Sequence, residues 1–224
     1  MKVEEKTMVQ ITGSNELERL VNRSRMIGSD PDLVLYGGGN TSTKMIEQDQ
    51  SGHEVKVLRI KGSGSDLRSV TANDFPGLFL DELLKLQAHE SMSDEEMVSC
   101  LTACMVDPTA RRPSIETLLH AFLPFDYVDH VHSDAVCALT NHPDGENAVK
   151  EALGNDVAFV PYLRPGFELS KKVAELHEAR AVVLAHHGLV TWGHTAEQSY
   201  GLTLELEDRA KRYLERKLTG KSAS

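Results

Sequence analysis

The sequence predicts an α/β layered domain, on three observations. Segments with strand-like and helix-like periodicity alternate along the 224 residues. A hairpin signature between residues 43 and 60 makes the sheet at least partly antiparallel. No repeat, low-complexity linker or composition break divides the chain, so residues 1–224 read as a single domain.

In order, the first helix is expected over residues 14–28, with Leu17, Leu20, Val21 and Ser24 on one face and Gly28 as its stop. Pro31 forbids continuation. An apolar run over 33–36 leads into Gly37-Gly38-Gly39-Asn40 and is taken as a strand preceding that loop. Strands over 43–47 and 55–60 flank the polar turn 49–53, and the second ends at Lys61-Gly62-Ser63-Gly64. Ser93 and Glu96 form a capping box for a helix carrying Met97, Leu101, Cys104 and Met105. A further helix opens at Pro113-Ser114 and runs past Glu116, Leu118, Leu119 and Phe122. Residues 127–132 alternate as a strand, Ser133 and Asp134 cap a short helix to 139, and 145–153 is helical up to Gly154. A strand over 157–162, a helix over 168–177 and a buried strand over 181–185 follow. The closing helix starts at Thr195, with Gln198 completing a capping box, and ends near Lys217.

Composition excludes several functions. A net charge of −10 argues against a nucleic-acid binder, which needs a basic surface. No apolar run approaches the ~18–20 residues of a membrane span, and Met1 to Lys6 begin no signal peptide. Three cysteines are too few for a disulfide framework, so a reduced, cytoplasmic protein is expected.

The chemistry concentrates in His130-Val131-His132. On a strand, residues two apart share a face, so two imidazoles can reach one Zn²⁺. His187, between an apolar strand and Gly188, is the third expected ligand, and His186 is expected to be structural. Three imidazoles and an open fourth position make a catalytic zinc pattern. Glu116 is placed in the first turn of its helix, where its functional reading is a general base beside the metal. His120, four residues on, is either its supporting partner or a core residue. Two glycine-rich loops, with Asn40, Ser42 and Ser63 as side-chain donors, suit a small phosphorylated substrate. Gly220-Lys221-Ser222 is not a phosphate loop, and Cys100 and Cys104 read as core thiols.

Five motifs stand in the order seen in class II aldolase/adducin-head domains: Gly38-Gly39-Asn40-Thr41-Ser42, Lys61-Gly62-Ser63-Gly64, Pro113-Ser114-Ile115-Glu116, His130-Val131-His132 and His186-His187-Gly188-Leu189-Val190. The chain resembles that family over residues 14–215, and over 118–141 it is most similar to the aldolase segment of rhamnulose-phosphate aldolase/lactaldehyde dehydrogenase fusions. With Ser224 the last residue, the dehydrogenase half is expected to be absent. The resemblance implies a three-layer α/β/α sandwich around a largely antiparallel central sheet, in a homotetramer with active sites between subunits. It implies His130, His132 and His187 as zinc ligands and Glu116 as catalytic acid/base. Asn40, Ser42, Ser63, Gly64 and Ser114 would hold the substrate phosphate.

The implied reaction is retro-aldol cleavage of a phosphorylated ketose through a Zn-stabilised enediolate. The alternatives are a sugar-phosphate epimerase or dehydratase, or a non-catalytic adducin-like binding domain. Ile115 stands where fuculose-phosphate aldolases have a second serine. The segment that carries their catalytic tyrosine is shorter here, which leaves Tyr162 as the nearest tyrosine.

Overall fold

The structure is a computed structural model that describes residues 10–49 and 51–221. The expectations for Met1 to Lys6, for turn residue 50 and for the end of the 220–224 tail lie outside the described residues.

Helix α1 (Glu16–Gly28) starts two residues later than expected because Asn15 is its cap: the Asn15 side chain accepts from the Glu18 amide. Then come β1 (Asn40–Gln48), β2 (Glu54–Ile60), β3 (Gly77–Phe79), α2 (Leu80–Lys85), α3 (Asp94–Ala103), α4 (Thr117–Phe122), β4 (Tyr127–Val131), α5 (Asp134–Thr140) and α6 (Gly145–Leu153). β5 (Val157–Val160), α7 (Phe167–Ala174), β6 (Ala181–Leu184), β7 (Gly188–Gly193) and α8 (Ala196–Lys221) complete the chain. The Ser93–Glu96 capping box of α3 forms as read. At α8, Thr195 accepts from the Gln198 amide, but the Gln198 side chain accepts from His194 rather than closing the box on Thr195.

The described strands form one sheet in the order β3-β2-β1-β4-β7-β6-β5. Every neighbouring pair is antiparallel except β5 with β6. One face packs Val131, Val183 and Leu189 under Ile27 of α1, Val136 and Leu139 of α5, Val149 of α6 and Leu206 of α8. The other face packs Leu58 and Ile60 under Leu83, Met97 and Leu118, and Val128, Val182 and Val190 under Leu119, Leu169 and Val173. Helices therefore cover both faces, and the α/β/α sandwich around a largely antiparallel sheet is the observed fold.

Four readings are corrected. Residues 33–36 form turns rather than a strand, because Pro31 and Gly37 leave too little room for pairing, so the first glycine loop precedes a strand instead of following one. β1 begins at Asn40, which puts Asn40 and Ser42 on the sheet. β7 was not expected: it is buried on both faces and lacks the alternation that marks a half-exposed strand. The short β3–α2 unit was also missed, its three-residue strand giving no periodicity to read.

The sheet is tied to α1 through a buried ion pair. Arg23 Nε faces Asp129 Oδ1 at 3.0 Å with both side chains fully buried. Arg23 also donates to the Ser42 carbonyl of β1, and Ser199 of α8 donates to Asp129 Oδ2. Burial pushes the Asp129 carboxyl up, and Arg23 and Ser199 hold it down. Arg23→Met, which strands Asp129, is expected to cost about 3–5 kcal/mol in urea unfolding. Arg23→Met/Asp129→Leu should recover most of it. A single-variant loss below about 1 kcal/mol, the scale of an exposed pair, would remove this contact from the fold's main supports.

Candidate metal centre

β4 is central, between β1 and β7, and its alternation sends neighbouring residues to opposite faces. Asp129 points to α1 and α8, and His130 to the face covered by α4, opposite Asn40 of β1. His132 lies just past the end of β4. His187 sits in the turn between β6 and β7, where His186 takes φ 57°, a left-handed conformation unusual outside glycine. That turn is held by the His186 amide donating to Thr140 Oγ1 and by His186 Nδ1 against Asn141 Oδ1 at 2.6 Å. Gly188 is required there: a Cβ would stand 2.2 Å from the Val131 carbonyl oxygen. Gly39, at φ 64°, likewise leaves no room for a Cβ beside the His130 carbonyl.

The three rings converge. His130 Nε2 lies 3.2 Å from His187 Nε2 and 3.1 Å from His132 Nε2. His130 Nδ1 faces the Leu189 carbonyl at 3.1 Å; a carbonyl only accepts, so Nδ1 carries the proton and Nε2 presents a lone pair inward. Burial, with repulsion from His132 and His187, pushes His130 well below the usual imidazole range, and burial followed by His187 lowers His132. With the His130 lone pair turned inward and the Nε2 atoms of His132 and His187 beside it, the three rings make a set that could hold a divalent cation. The spacing fits: tetrahedral ligands at ~2.0–2.1 Å from Zn²⁺ stand about 3.3 Å apart.

Glu116 is the cap residue of α4, at φ −91° and ψ 12°, rather than a member of its first turn. The helix starts later than expected because the backbone at Pro113 bridges Gly62 of the second glycine loop. Oε1 of Glu116 lies 3.4 Å from His187 Nε2 and 3.6 Å from His130 Nε2. It is buried with no hydrogen-bond partner, an orphan acceptor that a cation or a substrate proton would satisfy. Oε2 accepts from Asn40 Nδ2 at 2.6 Å.

Of the expected phosphate residues, Asn40 and Ser114 adjoin Glu116, with Ser114 Oγ accepting from the Glu116 amide at 3.2 Å. Ser63 and Gly64 lie beside the 112–114 segment, the Ser63 amide donating to the Arg112 carbonyl. Ser42 goes elsewhere: it is fully buried, with Oγ 2.7 Å from His120 Nδ1. Tyr162 is 60% exposed and packs near the His186 ring, outside the histidine cluster. Lys61 was missed as a site residue. It is buried, its ammonium is destabilised by burial and held up by Asp66 and Glu116, and its charge acts on His130 and His132. A lysine ending a strand directly before Gly-Ser-Gly was the available signal.

A family model described as the Class II Aldolase and Adducin N-terminal domain matches residues 18–214. The chain is 46% identical over 202 residues to the "Uncharacterized oxidoreductase YuxG" of Bacillus subtilis, covering 88% of this chain and 29% of that protein. It is 32% identical over 109 residues to a 5-methylthioribulose-1-phosphate/5-deoxyribulose-1-phosphate aldolase of Rhodospirillum rubrum, covering 48% of this chain and 47% of the relative. The chain thus spans less than half the length of these curated relatives. Among solved structures, the N-terminal class II aldolase domain of a conserved Thermoplasma acidophilum protein superposes with a TM-score of 0.87 at 40% identity, covering 92% of this chain and 97% of that one.

Burial pushes the His120 imidazole down to about 3, against the opposing pull of Glu116. The unfolded chain therefore binds one more proton than the folded chain between that value and ~6.5, and stability falls as pH drops through this window. His120→Gln should flatten the slope, reducing the loss between pH 7.5 and pH 5 in metal-stripped protein by roughly 2 kcal/mol. Urea titrations at the two pH values measure it, and equal slopes for both proteins would refute it.

Proposed function

The chain belongs to the class II aldolase and adducin N-terminal domain family, and we propose that it is a divalent-metal aldolase cleaving a small phosphorylated ketose. One observation carries this reading: His130 Nε2 stands 3.1 and 3.2 Å from the Nε2 atoms of His132 and His187, beside a carboxylate oxygen that has no hydrogen-bond partner. Relatives named as sugar-phosphate aldolases support the substrate class.

His130, His132 and His187 would hold the ion, with Zn²⁺ the first choice for an all-imidazole set. When bound, the cation supplies Lewis-acid polarisation of the ketose carbonyl and of the charge left by carbon–carbon cleavage. Glu116 Oε1 is the base: it takes the proton of the hydroxyl on the carbon that leaves as aldehyde, and returns one to the carbon left behind. Asn40, Ser114, the Ser63 hydroxyl and the Gly64 amide bind the phosphate, with Lys61 adding the positive charge that a dianion needs. Ser42, the other serine expected at the phosphate, is too deep to touch it. Binding the phosphate away from the reacting bond spends its energy on orientation.

The same reading assigns a homotetramer with the site between subunits. Exposed Leu35 and Tyr36 before the first glycine loop, and Tyr162 near His186, support it as apolar surface beside the site. Among the described residues no helix is long and apolar enough to cross a membrane, in keeping with a proposed cytoplasmic location.

The purified protein is expected to hold one zinc per chain by elemental analysis and to release a triose phosphate and an aldehyde from a ketose 1-phosphate. His132→Ala and His187→Ala should lose the zinc on dialysis. Glu116→Gln should keep it and lose cleavage by about 10²–10⁴-fold. Isomeric sugar phosphate as the sole product would instead indicate epimerisation, a dehydrated product dehydration, and a zinc-free inert protein an adducin-like binding domain.

A further inference from the structure

His120 is fully buried on α4, one turn beyond Glu116, and the reaction outlined above does not use it. Each of its ring nitrogens meets one side chain. Nδ1 lies 2.7 Å from Ser42 Oγ, and Nε2 is hydrogen-bonded to Asn40 Oδ1. Ser42 and Asn40 are two apart on β1 and share the face that α4 covers.

The direction of each hydrogen bond follows from the far end. The ionised Glu116 Oε2 can only accept, so the group 2.6 Å from it is the Asn40 Nδ2 donor. That orientation turns Asn40 Oδ1 toward His120. An amide oxygen also only accepts, so His120 Nε2 carries the ring proton and Nδ1 must accept from the Ser42 hydroxyl. Three donors thus line up toward one carboxylate: Ser42 to His120, His120 to Asn40, Asn40 to Glu116. With Oε2 pinned, Oε1 is the atom left facing His130 and His187.

We propose that His120 is a positioning residue which, in the single tautomer that the Asn40 oxygen requires and the Ser42 hydroxyl accommodates, locks the Asn40 amide and thereby aims Glu116 Oε1 at the reacting centre. Ser42 then belongs to this relay and not to the phosphate. The kinetic consequence rests on the aldolase reading; the tautomer does not.

Two measurements test it. In the zinc-loaded protein, imidazole ¹⁵N NMR should show His120 protonated at Nε2 alone at neutral pH, with the preference weakened in Ser42→Ala. In cleavage assays His120→Phe should lower kcat by about 10–100-fold, with zinc content unchanged and any rise in KM smaller than the fall in kcat. His120→Gln, whose amide N–H can still donate to Asn40 Oδ1, should restore most of the loss. A His120 ring protonated at Nδ1 or at both nitrogens would overturn the proposal, as would a His120→Gln protein as impaired as His120→Phe. If His120→Phe does not fold, the glutamine variant and the wild-type spectrum still decide. A protein with the expected tautomer that cleaves no sugar phosphate would defeat the aldolase reading while supporting the relay.

Discussion

The Nε2 atom of His130 stands 3.1 and 3.2 Å from those of His132 and His187, and most of this fold can be understood as the means of enforcing that proximity. β4 supplies His130 from the middle of the sheet, His132 follows directly past its end, and the β6–β7 turn supplies the third ring. Both faces are sealed by helices, and burial there pushes the His130 and His132 imidazoles below their usual range. The buried Arg23–Asp129 pair, one residue from His130 on the opposite face, fixes the strand from behind.

The residues that were legible in the sequence are those whose role depends on local spacing. His130 and His132 announced themselves by their separation of two on a strand, His187 by the apolar run and glycine around it, and α3 by its capping box. The residues that were not legible depend on tertiary contact. Ser42 read as a loop donor because β1 was begun three residues late; with the strand started at Asn40, the alternation alone sends Asn40, Ser42 and His130 to the same face. Lys61 has no periodic signature, since its importance comes from burial beside Glu116. β7 was hidden because both of its faces are covered, which erases the pattern that would mark it.

Glu116 shows how the two scales combine. Sequence placed it in the first turn of a helix and read it as a general base beside the metal, without the contacts that aim it. The structure takes it out of the helix into the cap position, where Ser114 holds its amide and Asn40 one of its oxygens. The carboxylate is therefore aimed by a hydrogen bond from the distant strand β1, which no local pattern encodes.

Gly188 carries a broader implication. With its α-carbon seated directly on the Val131 carbonyl, the hairpin that delivers His187 rests on β4 main chain to main chain, with no side chain between them. The height of the third ring above the first two is then a property of peptide geometry, insulated from the volumes of neighbouring side chains. Aliphatic residues in the surrounding layers can drift over evolutionary time without retuning the centre, so distant descendants of one ancestor could diverge widely in their interiors and still inherit the same triangle of nitrogens.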